Sequence, residues 1–575
     1  MHNMADMQPI PPPEQLPVPV KMTGIGNSHI AIKASPEAQA WFDQGLSLLH
    51  DFWDYESIKA FEQAIRVDPN CAMCYWGLAQ AEGFRRSDEA VYGKKALARA
   101  VELKGHAGAE GKLYIEAAQA ESEAKNDDKL SPAIPFLRKL VAKNPKDIQA
   151  RIFLAEAVGD GYDEKGEPKA GQKERIAILE SVIRDAPDDS AAHHYWIHAM
   201  EPSNHPENAL KSAALLASLA PTSGHMVHMP GHIFYRVGNY AEAEHWFAAS
   251  TEADESYLRT YQETPDNDWN YVHNMMYAIA NLMEQGKLSA ADALSDRLSA
   301  ARGKLSATLY IWSARDQMAR LGQRLPVALR VGDWDAVLTM LGQSSLGEGE
   351  KTANLRFLSN ELSEYARGMK ALENPDAAAI DVAAAQAASE RMDAGLWRVE
   401  QVQAAKDSAK DKDKKEDTKK DEPPMAPAMP DAEPGPLMKC LAVASLELRA
   451  GVLIAQGKLE EGKKVYTQAA AEEKKLGYHE PPFYIRPVGE NEAAALIRAK
   501  DYAAAKSAYE AALEERPNSG FGLYGLARIA ELQRDGSGAR AGYETFLKAW
   551  AQADGDLPEV LHARSVAGEQ VGGTR

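Results

Sequence analysis

The chain has 575 residues, of which 45% are hydrophobic, so it is long enough for a sizeable core or a long repeat array. Asp and Glu number 84 against 65 Lys and Arg, which gives a formal net charge of −19. This acidic balance argues against nucleic acid or an anionic membrane as the main partner. No apolar stretch approaches the roughly 20 residues that a transmembrane helix needs.

The first 35 residues predict a proline-rich arm of extended or disordered character, since the chain starts MHNMADMQPIPPPEQLPVPV. This segment lacks the charged and then apolar pattern of a signal peptide. Removal of a signal peptide upstream of this numbering would leave the same start. A periplasmic, secreted or cytoplasmic location is therefore compatible with the sequence.

A 34-residue period begins after this arm. With Gly45 at position 8, Trp41, Phe61 and Pro69 fall at positions 4, 24 and 32, as in a tetratricopeptide (TPR) repeat. The small residue lets the two helices of a hairpin approach closely, the large apolar residues fill the gaps between hairpins, and the proline ends the second helix. The same spacing recurs downstream at Pro187, Ala209, Pro221, Gly231, Phe234, Ala243, Phe247, Leu496, Ala505, Tyr509, Ala512 and Pro517.

These repeats predict an all-α fold, namely a right-handed superhelical solenoid of TPR helix-turn-helix hairpins. We expect the solenoid over residues 36–398, further TPR repeats over 438–556 and a flexible tail over 557–575. Residues 399–437 separate the two arrays and include KDSAKDKDKKEDTKKDEPPMAPAMPDAEPG. Mixed charge and repeated proline predict a disordered insertion there, because such a segment buries too little apolar surface to offset its ordering entropy.

Two of the three cysteines, Cys71 and Cys74, form a C-x-x-C pair, and Cys440 stands alone. The pair has two interpretations: a redox or soft-metal site, or small residues at packing positions. We favour packing, because no second C-x-x-C and no nearby histidine completes a zinc set.

Nine of the 15 histidines lie between His193 and His273, a window of 81 residues where an even spread would place about two. Seven residues of this window recur at positions 2, 5, 9 and 12 of three successive repeats. Spacings of three, four and seven put each set on one helix face. These residues are His194, His198 and Glu201 in one repeat, His225, His228 and His232 in the next, and His273 in the third.

In TPR proteins these positions of the first helix face the concave groove, so the resemblance implies that three helices direct histidines into one shared hollow. Imidazole side chains that meet in one hollow are candidate metal ligands, and zinc, copper and iron are all compatible with them. We therefore predict a metal site formed by the seven residues above, with Glu201 as a ligand or a general base. The competing interpretation is a polar, peptide-binding groove without a metal. His193 is expected to point away from the site, and His205 and His245 to be structural or exposed.

The segment His228-Met229-Pro230-Gly231-His232 places a proline inside the predicted helix. An interior proline costs about 3 kcal/mol and frees a backbone carbonyl, here that of Met226. We expect a bend beside the histidines, unless the helix begins one turn later.

Three long segments, HHYWIHAMEPSNHPENAL, GHMVHMPGHIFYRVGNYAEA and YHEPPFYIRPVGENEAAAL, resemble a widespread group of bacterial TPR-repeat proteins. The resemblance covers most of residues 23–555 and implies the repeat fold, but no particular reaction. The sequence departs from the group at Phe52-Trp53-Asp54, where the first repeat often carries a Phe-Asn-His-type turn.

The sequence is compatible with three functions. The first is a binding protein whose groove holds a protein, peptide or small-molecule ligand and a histidine-bound metal. The second is a metal-dependent hydrolase or oxidoreductase that uses the same cluster. The third is a pure interaction scaffold. The sequence lacks H-E-x-x-H, G-x-S-x-G and Walker motifs, which argues against a zincin protease, a serine hydrolase or a nucleotide hydrolase.

Overall fold

A computed structural model describes residues 18–84, 90–124, 130–163, 165–301, 320–344, 346, 353–373, 380–413 and 434–568. Within these ranges the chain is helical and forms no β-strand, which confirms the predicted all-α class. An isolated antiparallel bridge joins Tyr162 to Pro168. None of the described helices is long and apolar enough to cross a membrane.

The described α-helices are α1 (Pro36–His50), α2 (Asp54–Val67), α3 (Ala72–Phe84), α4 (Ala90–Glu102), α5 (Gly108–Ser122), α6 (Ile134–Lys143), α7 (Ile148–Val158), α8 (Ala170–Asp185), α9 (Ser190–Met200), α10 (Leu210–Leu219), α11 (Gly224–Arg236), α12 (Tyr240–Tyr261), α13 (Trp269–Glu284), α14 (Leu288–Ala301), α15 (Leu325–Val331), α16 (Trp334–Gln343), α17 (Ala353–Glu373), α18 (Val382–Asp413), α19 (Pro434–Ala455), α20 (Leu459–Lys474), α21 (Val488–Arg498), α22 (Tyr502–Glu515), α23 (Gly520–Leu532), α24 (Gly536–Ala549) and α25 (Pro558–Ala567).

Helices that follow each other along the chain pack together, as α1 does with α2 and α23 with α24. Close approach at small residues makes this packing possible. A Cβ atom added at Gly45 would lie 2.9 Å from the ring of Phe61, and one at Gly231 would lie 2.4 Å from the ring of Phe247. Positions 8 and 24 of the predicted repeat therefore contact each other, and a larger residue at position 8 would separate the helices.

Residue contacts divide the chain into two compact units, of which the first comprises residues 1–234 and 245–274. Its core between α1 and α5 is aromatic, with the rings of Phe42 and Phe61 5.5 Å apart and Trp76 packed against both Phe42 and Tyr114. A second apolar cluster joins α7 to α11.

The second unit comprises residues 235–244 and 275–575. Its interior contains the guanidinium group of Arg330, which bonds to Glu284 at 2.9 Å and to Glu490 at 2.6 Å. Arg516 bonds to the other oxygen of Glu284 at 2.9 Å. Since every charge in this network has an opposite charge and a hydrogen bond, its burial is compensated, and the network fixes α13, α15 and α21 in register.

The part of the predicted arm that the structure describes, residues 18–35, is extended and ordered against the first unit. Gly24 accepts a hydrogen bond from the Thr222 amide at 3.0 Å, and the Asn27 side chain donates to the carbonyl of Asp188 at 2.8 Å. His29 bonds to Asp43 at 3.0 Å on the surface. Residues 1–17 of the arm lie outside the described residues.

Two of the predicted segment boundaries differ from the helix boundaries. The expected insertion at 399–437 begins inside α18, which runs to Asp413, and ends inside α19, which starts at Pro434. Lys, Glu and Ala have high helix propensity, so a charged sequence can still form a helix. Residues 414–433 lie outside the described residues. The expected flexible tail starts with α25, which is held by the buried side chains of Val560 and Ala563.

Cys71 and Cys74 form a disulfide at the start of α3, and both side chains are buried. Cys440 is also buried, as a free thiol, against Phe483.

Candidate metal centre

Three helices of the first unit carry the clustered histidines. Helix α9 contributes His194 and His198, with Glu201 directly after its last residue. Helix α11 contributes His225, His228 and His232. Helix α13 contributes His273 near its start. Because residues four apart lie one above the other on a helix, the side chains of each helix project to one side.

One group consists of His194, His198 and His225, whose candidate ligand atoms all lie within 4.8 Å of one another. The Nε2 atom of His194 lies 3.0 Å from Nε2 of His198 and 3.2 Å from Nε2 of His225. A second group consists of His228, His232 and His273, again with candidate ligand atoms within 4.8 Å. In this group the Nε2 atoms of His228 and His232 are 2.5 Å apart.

In the first group, the outer nitrogen of every ring faces an oxygen acceptor. His194 Nδ1 donates to the carbonyl of His50 at 2.6 Å, and His198 Nδ1 to Glu201 at 2.7 Å. His225 Nδ1 lies 3.2 Å from Oδ1 of Asn270. With each neutral ring protonated at Nδ1, the three Nε2 atoms present lone pairs to one another.

The orientation of the Asn270 amide is set by its own partners. Its Nδ2 atom donates to Asp254 at 2.8 Å and to the Ser250 hydroxyl at 3.2 Å, which leaves Oδ1 as the acceptor for His225. Asn274 does the same for the second group, since its Nδ2 donates to Thr251 at 2.7 Å and its Oδ1 faces His228 Nδ1 at 2.8 Å. Acceptors that fix the tautomer and the ring plane in this way are typical of metal-binding histidines.

Glu201 connects the two groups without belonging to either of these histidine triplets. One carboxylate oxygen bonds to His198 Nδ1 and the other to His232 Nδ1, both at 2.7 Å. Burial alone would raise the pKa of Glu201, but the imidazoles of His198 and His232 outweigh it and hold that pKa well below 4.5. The carboxylate therefore stays ionised and orients one ring of each group.

Four of the six histidines are buried and His198 and His273 are partly buried, whereas the sequence predicted side chains facing an open groove. The side chain of His232 is 0% exposed and that of His198 is 17% exposed. Burial lowers the pKa values of His194, His225 and His228 well below 6.5 and that of His273 to about 3. These rings are therefore held neutral, which is the form that binds a metal ion.

Phe52 and Trp269 account for part of this burial. The Phe52 ring lies 4.7 Å from the ring of His194 and stacks on His198 and His225 at 5.4 and 5.5 Å. Its φ angle of 56° lies in the left-handed region, which is costly for an aromatic residue. The Trp269 indole donates to the Phe52 carbonyl at 2.7 Å and helps to hold this conformation.

Helix α11 runs without interruption from Gly224 to Arg236, so the helix starts before Pro230 and not one turn later. The proline lies between His228 and His232 and leaves the Met226 carbonyl without its usual helical donor.

The remaining histidines of the window take no part in either group. His193 is buried and bonds to Ser212 at 2.9 Å and to the Pro187 carbonyl at 2.8 Å. His205 bonds to Glu207 on the surface, and His245 is exposed on α12. The sequence did not identify His50, Phe52, Asn270 and Asn274 as parts of the site. Asn270 and Asn274 are four residues apart and flank His273, and this spacing was the signal that could have identified both asparagines.

No protein-family model matches the sequence, and the search of curated proteins gives no match. Among solved structures, the chain is similar to the crystal structure of the yeast Tom70 at 13% identity, over 93% of this chain and 96% of that one. The TM-score is 0.24. At this score the likeness carries no argument, and the fold described above rests on the helices and their packing.

Proposed function

We propose that this chain is a TPR-type helical protein that binds metal ions at two adjoining sites, one at His194, His198 and His225 and the other at His228, His232 and His273. One observation carries the proposal. Three Nε2 lone pairs converge at 3.0 and 3.2 Å, although every outer nitrogen already donates to a fixed oxygen. Lone pairs at this distance repel each other unless a cation lies between them.

The spacing of the first group suits a small transition-metal ion. Zinc binds histidine nitrogen at roughly 2.0–2.1 Å with tetrahedral geometry, so neighbouring ligand atoms lie about 3.3 Å apart. The separations of 3.0 and 3.2 Å are close to that value. Three neutral imidazoles favour zinc, copper or iron, whereas calcium and magnesium prefer oxygen ligands.

Metal analysis of the purified full-length chain tests the proposal. We expect up to two equivalents of one transition metal, with loss of one equivalent in His194→Ala and of the other in His228→Ala. His205→Ala is the matched control, because this histidine is exposed and its ring bonds to Glu207 outside both groups. Metal content that is substoichiometric and the same in all four proteins would refute the metal sites and favour an interaction scaffold.

We further propose that the helix pairs follow the right-handed superhelix of TPR solenoids, as in the bacterial group that the sequence resembles, and that the concave face binds a protein, peptide or small-molecule partner. The recurrence of the repeat spacing along the sequence supports this proposal. A radius of gyration from small-angle X-ray scattering tests it, because a superhelix is more extended than a globular chain of the same length.

A second candidate function is a metal-dependent enzyme. Three protein ligands leave a coordination position open for water, dioxygen or substrate. His225 also lines a small cavity. If the metal-loaded chain is an enzyme, the spectrum distinguishes the class: absorbing copper or iron supports an oxidoreductase, and spectroscopically silent zinc a hydrolase.

A further inference from the structure

The N-terminal arm contacts the beginnings of both helices that supply the first histidine group. Asn27 lies against the start of α9, where its Oδ1 atom accepts from the Ser190 amide at 3.1 Å and its Nδ2 atom donates to the Asp188 carbonyl at 2.8 Å. The Gly24 carbonyl accepts from the Thr222 amide at 3.0 Å and from the Thr222 hydroxyl at 2.9 Å. Since Thr222 directly precedes the first turn of α11, one short stretch of the arm bonds to the starts of both helices.

The backbone of this stretch is adapted to close contact with the two helix starts. Gly24 and Gly26 have φ angles of 71° and 89°, in the left-handed region that favours glycine. A Cβ atom added at Gly26 would lie 2.3 Å from the Ser190 hydroxyl oxygen, and one at Gly24 would lie 3.1 Å from the Thr222 side chain. Between the two glycines, Ile25 is buried in the apolar core. Residues 24–27 therefore form a clamp that is fixed to the first unit and bonds to the starts of both α9 and α11.

The distance between α9 and α11 determines the geometry of the first histidine group. His194 and His198 are four residues apart on α9, so the helix itself fixes their spacing. His225 belongs to α11, and its Nε2 atom lies 3.2 Å from that of His194. A shift of one helix start relative to the other therefore changes the distances that involve His225. Because a metal site tolerates only small deviations in its ligand positions, metal affinity should respond to such a shift.

The second histidine group depends on a different pair of helices. His228 and His232 are four residues apart on α11, and His273 lies on α13. The spacing that matters for this group is therefore that between α11 and α13. At the far end of α9, Glu201 already joins α9 to α11 through His198 and His232. The clamp joins the same two helices at their starts, which are the ends that Glu201 does not reach.

We propose that Asn27 is a positioning residue of the first metal site. Through the clamp it holds the start of α9 against the start of α11, and it thereby sets the distance from His194 to His225. The arm that the sequence predicts to be disordered is, over these residues, a part of the metal site. This inference rests on the proposed function, because it requires a metal ion at the first group.

Zinc binding to full-length chains, measured by chelator competition, tests the proposal one group at a time. A His228→Ala background retains only the first group, and a His194→Ala background retains only the second. Asn27→Ala should weaken zinc binding roughly tenfold in the first background, the lower end of the range for loss of an outer partner of a metal site. It should leave zinc binding in the second background unchanged. His29→Ala is the matched control, because this arm residue bonds to Asp43 on α1 and should change neither affinity.

Cobalt absorption provides a second readout that a purely stabilising role of the arm would not change. In the background that retains the first group, bound cobalt reports the coordination geometry through its visible spectrum. Asn27→Ala should alter this spectrum, because His225 would approach the ion from a different position. His29→Ala should leave the spectrum as it is.

Equal weakening of zinc binding in both backgrounds would overturn the proposal, since it would show that the arm only stabilises the first unit. Unchanged affinity in both backgrounds would also overturn it. If neither background binds zinc with Asn27 in place, the metal sites themselves are refuted, and the positioning role with them. If Asn27→Ala fails to fold by circular dichroism, Gly26→Ala decides, because its added Cβ atom would push the clamp away from Ser190. Unchanged affinity of the first group in that variant would contradict the proposal.

Discussion

The Nε2 atoms of His194 and His198 lie 3.0 Å apart, and the Nδ1 atom of each ring donates to a protein oxygen. Two neutral rings cannot form a hydrogen bond in this arrangement, because neither inner nitrogen carries a proton. A bound cation removes the repulsion, and in its absence a proton must be taken up or the rings must separate. Several measurable properties depend on this relationship.

Metal removal should lower the stability of the chain. A ligand that binds only the folded state at 1,000 times its Kd adds about 4.1 kcal/mol. We therefore expect chelation to lower the melting temperature of the wild type, and re-addition of the native metal to restore it. In His194→Ala the melting temperature should respond less to chelation, since one group is incomplete. An equal response in the wild type and this variant, measured by scanning calorimetry, would contradict the assignment of His194 as a ligand.

Glu201→Gln should weaken metal binding at both groups. The carboxylate accepts from His198 and from His232, each at 2.7 Å, and an amide can accept from only one of them. Loss of such an outer partner typically costs 10–100-fold in metal affinity. Competition with a chromogenic chelator measures both dissociation constants, with Glu207→Gln as the control. If the second candidate function holds, a Glu201→Gln chain that binds metal with wild-type affinity but has lost its catalytic activity would instead indicate that Glu201 is a general base.

His50 should make the metal-free chain less stable in mild acid. Burial lowers the pKa of His50 from 6.5 to about 4, so the unfolded chain takes up a proton between these values before the folded chain does. The free energy of unfolding therefore falls as the pH decreases through this window, by about 2 kcal/mol at pH 5 for one such histidine. Urea unfolding at pH 5.0 and 7.5 should show this loss in the wild type.

His50→Gln removes that titration and should reduce the difference between the two pH values by about 2 kcal/mol. His245→Gln is the matched control, because His245 is exposed on α12 and should leave the difference unchanged. An unaltered pH dependence in His50→Gln would show that the ring is protonated equally in the folded and unfolded chains.

Helix periodicity explains why part of the site could be predicted. Residues such as His194 and His198 are four apart on one helix, so sequence spacing alone puts them on one face. The structure places both in the first three-histidine group. Glu201 occupies the predicted position, but its two hydrogen bonds suit an orienting carboxylate, a role that spacing cannot distinguish from that of a ligand.

The burial of the site could not be predicted in the same way. His50 contributes a backbone carbonyl, which any residue possesses, and it lies 144 positions from His194. Phe52 stacks on the ring of His198 from a backbone in the left-handed conformation. These contacts depend on how α1 packs against α9, and repeat spacing carries no information about such packing. The start of α25 was missed for a related reason, since its few buried residues stand among charged ones.

Gly231→Ala should destabilise the chain and weaken metal binding together. The added Cβ atom would lie 2.4 Å from the Phe247 ring, so the ring or α11 must move. Overpacking of this kind costs typically 1–3 kcal/mol, more than the helix propensity that alanine gains. A displaced α11 would also move His228 and His232 away from α13. Gly342→Ala in α16 is the control, because nothing lies within 4 Å of the added atom and the change should be neutral or slightly stabilising. Urea unfolding and chelator competition on the same samples measure both effects. If the Gly231→Ala chain is as stable as the Gly342→Ala chain, the contact between positions 8 and 24 does not hold the helices together.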